Sequence, residues 1–239
     1  MRSHGTRWLG QRENRHMISK EQLAKMIDHS LLNPTLTEQD IKKGCQEAIQ
    51  YGFAAVVVNP SHVPIVAREL KKSAVRVCSV ISFPFGLSTT ADKVHEARTA
   101  LDQGAEEIDM VMNFSALRSG HSDLVLEEIR AVVQEARRRQ GKTVKVILEN
   151  CYLTQSEKIE ACQLTVQAGA DFVKTSTGFG KSGATVDDVR LMRKTVGPKF
   201  GVKAAGGIRT AEQALQMIDA GANRIGASAS VSMIESLTR

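Results

Sequence analysis

Three lysines recur at a fixed interval in the second half of the chain. Lys145, Lys174 and Lys203 are separated by 29 residues each time, and two of them lie in the apolar contexts FVKTS and GVKAA. A single lysine of this kind would be interpreted as a strand-edge residue that extends its amine to solvent. Three lysines at matching positions favour a cluster, because buried lysines are otherwise rare.

A cluster of lysines suits one kind of chemistry. An amine is a nucleophile only without its proton, and a free lysine with a pKa of about 10.4 is almost fully protonated at neutral pH. Burial and a neighbouring cation both disfavour the ammonium form. The pattern therefore predicts a lysine that can form a Schiff base with a carbonyl compound.

Acidic residues accompany the lysines. Asp109 lies in 106-EEIDMVMN, where strand alternation places it on one face with Val111 and Asn113. An aspartate between Ile and Met should not be buried unpaired, so we expect an ion pair with one of the lysines. Asp28 and Glu149 are weaker candidates. Like Lys145, each would contact a reacting side chain without touching the substrate, or it would cap a helix.

Eight apolar runs alternate with helical segments and would position these residues. A glycine that follows an amphipathic segment precedes four of the runs, as expected past a helix C-terminus. The runs are 27-IDHSLL, 50-QYGFAAVVVNP, 75-VRVCSVISF, 102-DQGAEEIDMVMN, 142-KTVKVILEN, 167-QAGADFVKTSTG, 200-FGVKAAGG and 219-DAGANRIGASA. The predicted helices cover 37–51, 61–72, 89–103, 121–140, 155–168, 185–196, 210–220 and 229–237. This alternation predicts an α/β fold, a single (β/α)8 TIM barrel with an extra N-terminal helix at 19-SKEQLAKMI.

An open, doubly wound sheet is the alternative architecture. In the barrel, we place the lysines in the fourth, fifth and sixth strands and Asp109 in the third. Active sites of such barrels lie where the strands end, so these side chains are expected to converge there.

Glycine-rich loops after the late strands predict a phosphate site. The segments 204-AAGGIRT and 225-IGASAS each precede a helix, and backbone N–H groups at helix starts bind phosphate. The candidates are Gly178, Gly206, Gly207, Arg209, Gly226 and Ser228, with Lys181 as a further cation.

Composition excludes several other classes of function. The net charge is +6, but residues 1–16 hold four Arg and one Glu and so supply half of it. We expect 1–16 to be a disordered basic arm and 17–239 to be one catalytic domain. No basic stripe alternates with aromatic residues, and no apolar run reaches membrane-span length, so neither nucleic acid nor a membrane is a predicted partner.

The cysteines and histidines show no ligand spacing. Four cysteines form no CxxC pair, which indicates a reduced, cytoplasmic protein. The histidines show neither HxH nor HExxH, so we expect no metal and no cofactor.

Five ordered segments closely resemble the deoxyribose-phosphate aldolase family: 106-EEIDMVMN, 143-TVKVILE, 172-FVKTSTGF, 202-VKAAGGIR and 225-IGAS. The resemblance runs from about residue 17 to the end. It implies a metal-independent class I aldolase that reversibly cleaves 2-deoxy-D-ribose 5-phosphate into D-glyceraldehyde 3-phosphate and acetaldehyde. It further implies that Lys174 forms the Schiff base, that Lys203 lowers its pKa, and that Asp109 relays protons.

The sequence departs from the family pattern in three places. The segment 56-VVVNP lacks the cysteine common before Asn-Pro, Ser82 replaces a glycine, and Ala229 stands where some relatives have serine. A class I aldolase for a different aldehyde pair, or a non-catalytic sugar-phosphate sensor, remains an alternative. Similar families commonly form homodimers or homotetramers.

Overall fold

The computed structural model describes residues 18–237 and shows a closed barrel of eight parallel strands. The strands are β1 (Ile27–Leu31), β2 (Ala55–Val58), β3 (Arg76–Ile81), β4 (Glu107–Val111), β5 (Thr143–Ile147), β6 (Phe172–Lys174), β7 (Gly201–Ala205) and β8 (Arg224–Ala227). They are hydrogen-bonded in chain order, and β1 pairs with β8. The predicted barrel is confirmed and the open sheet is excluded. The predicted basic arm, 1–16, lies outside the described residues.

Helices cover the outside of the barrel. They are α1 (Lys20–Ala24), α2 (Glu38–Tyr51), α3 (Val63–Leu70), α4 (Thr90–Asp102), α5 (Phe114–Arg118), α6 (Ser122–Arg137), α7 (Gln155–Gln167), α8 (Val186–Val196), α9 (Ala211–Asp219) and α10 (Ser230–Ser236), with 3-10 turns at Pro60–His62 and Asn150–Tyr152. The extra N-terminal helix α1 is present. The short α5 is a helix that the sequence analysis did not predict. No helix within 18–237 is long and apolar enough to cross a membrane.

The strand register corrects the predicted positions of the lysines. Because Ile27–Leu31 is a full strand, Lys145, Lys174 and Lys203 lie in β5, β6 and β7, one strand later than predicted, and Asp109 lies in β4. Lys174 is opposite Lys203, whereas Ile147 is opposite Lys174. Lys145 therefore sits two residues nearer the amino-terminal end of the barrel, and the three lysines do not share one level.

Local sequence explains where the helices begin. Thr37, Thr154 and Thr210 each accept a hydrogen bond from the backbone three residues later, and a side chain at that position returns the bond. These capping boxes satisfy N–H groups that a helix start leaves without partners.

The interior consists of two separate regions. Between barrel and helices lies a continuous core of mostly Val, Ile, Leu, Met and Ala. Inside the barrel, the side formed by β2 and β3 is apolar and contains Ala55, Val57, Cys78 and Val80. The rest of the lumen holds buried charged side chains. Burying charges lowers the stability of the fold unless every charge is paired.

Candidate active site

Asp109 is the centre of the buried charges. It is fully buried, and its two carboxylate oxygens accept hydrogen bonds from three lysines. Lys145 donates to Oδ1 at 2.7 Å, and Lys174 and Lys203 both donate to Oδ2 at 2.7 Å. The Cys78 thiol, 3.2 Å away, donates to Oδ1 as well. The structure thus brings together the three residues that the family resemblance singles out, and the predicted ion pair of Asp109 is present.

Lys174 differs from the other two lysines in its electrostatics. Burial lowers the pKa of Lys174, and the nearby Lys203 ammonium lowers it further, while Asp109 acts in the opposite direction. The net shift is downward. Of the two causes that the sequence analysis named, burial therefore contributes more to the shift than the neighbouring lysine.

The other lysines hold their protons. Burial also opposes the charge of Lys203, but Asp109 and Asp28 attract it more strongly and raise its pKa. The pKa of Lys145 is raised well above its usual range, because the carboxylates of Asp109, Glu107 and Asp28 outweigh its burial. Against its own burial, the three lysines hold the pKa of Asp109 well below that of a free carboxyl.

The cluster continues toward the amino-terminal end of the barrel through two residues that the sequence analysis did not select. Glu107 lies 2.5 Å from the Lys145 amine and 2.8 Å from Arg224. Arg224 also reaches Asp28 at 2.7 Å, and Asp28 accepts a hydrogen bond from Lys203. Strand alternation could have identified Glu107, because it places residue 107 on the face of Asp109.

A cavity of about 670 Å³ opens above Lys174, at the carboxyl ends of the strands. Its lining includes all six predicted phosphate-binding residues, namely Gly178, Gly206, Gly207, Arg209, Gly226 and Ser228. The lysine amine and the glycine loops therefore face the same space, which is large enough for a small sugar phosphate.

Close backbone approach explains two of these glycines. A Cβ on Gly206 would lie 3.1 Å from the Gly183 Cα and 3.3 Å from the Ser176 Cβ, and its φ of 88° disfavours any side chain. At Gly226, a Cβ would lie 2.8 Å from the Ala205 Cβ and 3.2 Å from the Lys203 Cε. Gly226 therefore leaves room for the Lys203 side chain.

The start of α9 is not open to a ligand in the way that the sequence suggested. The backbone N–H groups of Arg209 and Thr210 donate to the Gln213 side chain. Ala229 precedes α10 and makes no side-chain capping bond there. The glycine loops line the cavity, and at α9 the Gln213 side chain occupies the helix start.

Two other candidates lie elsewhere. The Glu149 carboxylate accepts hydrogen bonds from the hydroxyl and the backbone N–H of Thr177. It therefore supports the loop after β6 rather than the lysine cluster. Lys181 does not line the cavity. Its amine lies over the Tyr152 ring, 5.8 Å from the centroid.

The loop after β3 forms the aromatic side of the barrel mouth. Phe83 packs edge-on against the cavity residue Phe179, with ring centroids 5.3 Å apart. Ser82 has a φ of 50°, a conformation that favours the glycine of the family pattern. Lys93 anchors the loop from outside the lumen, since its buried amine donates to the Gly86 carbonyl and to Glu128, both at 2.8 Å.

Comparison with known proteins gives a consistent result. Residues 22–233 match the family model described as DeoC/LacD family aldolase. A deoxyribose-phosphate aldolase from Thermococcus gammatolerans is 60% identical over 215 residues, which cover 89% of this chain and 95% of that protein. One from Thermoanaerobacter sp. is 58% identical over 213 residues, with 89% and 96% coverage. A solved structure described as a unique tetrameric structure of deoxyribose phosphate aldolase from Aeropyrum pernix has a TM-score of 0.85 at 37% identity, covering 91% of this chain and 92% of that one.

Proposed function

Because this chain belongs to the DeoC/LacD family of aldolases and acts as a deoxyribose-phosphate aldolase, we propose that Lys174 is its Schiff-base lysine. The observation that carries this assignment is the position of Lys174 in the cavity lining, and the direction of its pKa shift supports it. Of the three lysines on Asp109, Lys174 has the lowered pKa and lines the cavity. A lysine with these two properties can meet a substrate carbonyl as a free amine.

The first step joins the enzyme to the sugar. The Lys174 amine attacks C1 of the open-chain 2-deoxy-D-ribose 5-phosphate, and the resulting carbinolamine loses water to give an iminium ion. The positive nitrogen then attracts the electrons of the C2–C3 bond. Loss of the proton on the C3 hydroxyl allows that bond to break, which releases D-glyceraldehyde 3-phosphate and leaves an enamine on Lys174.

The second half of the cycle returns the amine. Protonation of the enamine at C2 gives a new iminium ion, and water hydrolyses it to acetaldehyde and free Lys174. Asp109 is a weak base, because three cations hold its pKa low. We assign it the role of a relay that passes protons between Lys203 and a water molecule at the substrate, rather than that of a base that keeps the proton.

We place the phosphate of the substrate at the part of the cavity that the glycine loops line. Gly178, Gly206 and Gly207 bring backbone close to this space, and Arg209 and Ser228 line the same cavity as Lys174. Binding energy from a phosphate that does not react can orient C1 toward the amine. The chemistry uses lysine, aspartate and water, so no cofactor or metal is assigned a role.

Assembly is proposed from a structural neighbour, and location from the cysteine pattern. The tetrameric Aeropyrum pernix neighbour supports a homo-oligomer, either dimer or tetramer. A cytoplasmic location remains a prediction from the cysteine pattern.

Reductive trapping tests the assignment. The protein is incubated with acetaldehyde and borohydride, and the modified residue is mapped by mass spectrometry. We expect an ethyl adduct on Lys174, and we expect Lys174→Met to lose both the adduct and the cleavage of the sugar phosphate.

Lys145→Met is the matched control, because it also removes one buried lysine from Asp109. It should be destabilised yet still form an adduct on Lys174. An adduct on Lys203, or turnover by Lys174→Met, would contradict the assignment.

A further inference from the structure

Five buried charged residues and the partly buried Arg224 form a closed ring of alternating sign inside the barrel. We call this set the charged ring; its members, in order, are Lys145, Glu107, Arg224, Asp28, Lys203 and Asp109. The successive contacts are 2.5 Å for Lys145–Glu107, 2.8 Å for Glu107–Arg224, 2.7 Å for Arg224–Asp28 and 2.7 Å for both lysines on Asp109. Asp28 and Lys203 complete it.

Lys174 is attached to this ring but is not part of it. Each basic residue of the ring contacts at least two carboxylates, and Lys145 contacts all three. The carboxylate contact of Lys174, by contrast, is Asp109, which two ring lysines already share. The ring has three carboxylates and three cations and is electrically neutral. A protonated Lys174 would therefore be a buried positive charge without a matching negative one.

We infer that Arg224, at the amino-terminal end of the barrel, is a positioning residue for the aldolase reaction: it closes the charged ring, and thereby leaves Lys174 as the lysine on Asp109 whose charge is not balanced within this cluster. This inference rests on the proposed role of Lys174. Arg224 begins β8, two strands from Lys174, and it touches neither the cavity nor the amine. Its effect would be purely electrostatic.

The identity of this residue matters, because a guanidinium keeps its proton under all working conditions. A lysine between Asp28 and Glu107 could exchange protons with the other lysines. The arginine cannot, so Lys174 is the residue of the cluster that gives up its proton. The directions of the pKa shifts agree, since those of Lys145, Lys203 and Arg224 are raised and that of Lys174 is lowered.

The other groups that face the ring do not change this balance. From β3, Arg76 approaches Glu107 only at 3.8 Å, and its half-exposed charge is screened by water. Cys78, also on β3, stays a neutral thiol, because burial and Asp109 raise its pKa. β2 contributes the apolar Ala55 and Val57.

Charge-changing variants test the inference through the pH dependence of kcat/KM, whose rising limb reports the amine in the free enzyme. Arg224→Met removes the balancing cation, so the limb should move to higher pH. Strands are about 4.8 Å apart, so two strands separate the charges by roughly 10 Å; at an effective dielectric constant of about 20 the expected shift is about one pH unit. Arg224→Lys should restore much of the original position of the rising limb.

Removing a carboxylate should do the opposite. Glu107→Gln leaves the ring with a surplus cation and should move the limb to lower pH. The double variant Arg224→Met/Glu107→Gln removes one charge of each sign and should return the limb to the position of the unmodified protein. A purely structural role of Arg224 would lower stability and activity without this pattern of opposite and cancelling shifts.

The outcomes are separable. Trapping of the adduct on Lys174 in each variant shows that the proposed function holds. If the adduct stays on Lys174 but the limb does not move in Arg224→Met, or moves in the same direction in Glu107→Gln, the inference about Arg224 is wrong. If Arg224→Met does not fold, Glu107→Gln and the double variant still decide, because the first must shift the limb and the second must not.

Discussion

Replacing Lys203 by methionine should raise the pKa of Lys174 and slow the enzyme at neutral pH. Both amines lie 2.7 Å from the same Asp109 oxygen, so they are at most about 5.4 Å apart, twice that distance. For two charges about 5 Å apart at an effective dielectric constant of about 20, the repulsion is about 3 kcal/mol. This corresponds to about two pKa units.

The sign of the effect is unambiguous. Lys203 favours the neutral form of Lys174, and its removal also leaves Asp109 with one fewer competing cation. Both changes favour the ammonium form. At pH 7 the population of free amine should fall by up to about 100-fold, and kcat/KM for cleavage of the sugar phosphate should fall with it. Raising the pH should recover part of this loss.

The assay is the pH profile of kcat/KM for Lys203→Met between about pH 6 and 10. Lys93→Met is the matched control, because Lys93 is equally buried and paired but lies outside the lumen. It should lose stability without moving the profile. A Lys203→Met enzyme that loses activity equally at every pH would refute the electrostatic reasoning and would leave Lys203 with a proton-relay role only.

Three further experiments test other parts of the structure. Burial lowers the pKa of His29 to about 4, below the unfolded value of about 6.5. Between pH 6.5 and 4 the unfolded chain binds a proton that the folded protein does not, so the free energy of unfolding should decrease as the pH falls through this window. In His29→Phe, this pH dependence, measured by thermal or urea unfolding, should be smaller by up to about 3 kcal/mol. Gly206→Ala should raise KM for the sugar phosphate and destabilise the protein by more than Gly207→Ala. The reason is that a Cβ at 207 meets nothing within 4 Å and adds only backbone strain of about 1 kcal/mol. Equal effects of the two substitutions on KM and on the unfolding free energy would contradict this. Arg209→Ala should raise KM for 2-deoxy-D-ribose 5-phosphate about 10-fold or more and leave the cleavage of unphosphorylated 2-deoxy-D-ribose unchanged, and a parallel loss on both sugars would remove Arg209 from the phosphate site.

Much of this architecture could be predicted from the sequence. Alternation of apolar runs with helical segments predicted the barrel, and the regular lysine spacing predicted convergence. Both signals are local, since each needs only the period of strands and helices. The same locality explains the misplacement of Lys145, because the spacing along the chain does not determine the register between strands.

The charged ring could not be predicted in this way. Arg224 stands at the start of a strand, a position that is ordinary for a solvent-exposed residue. Strand alternation places Glu107 on the face of Asp109 but does not show which residues it contacts there. Their contacts with Lys145 and Asp28 form across the lumen of the closed barrel. The occupied start of α9 could not be predicted for a related reason, because the Gln213 side chain that accepts hydrogen bonds there reaches back from within the helix.

The charged ring joins the two ends of the chain. Asp28 contacts Lys203 and Arg224 across sequence separations of 175 and 196 residues, so these contacts form only when the last strand has docked beside the first. Contacts this distant in sequence are usually late events in folding. During refolding, the ability to trap acetaldehyde on Lys174 should therefore appear after most of the helical structure has returned, and the chemistry itself would report the closure of the barrel.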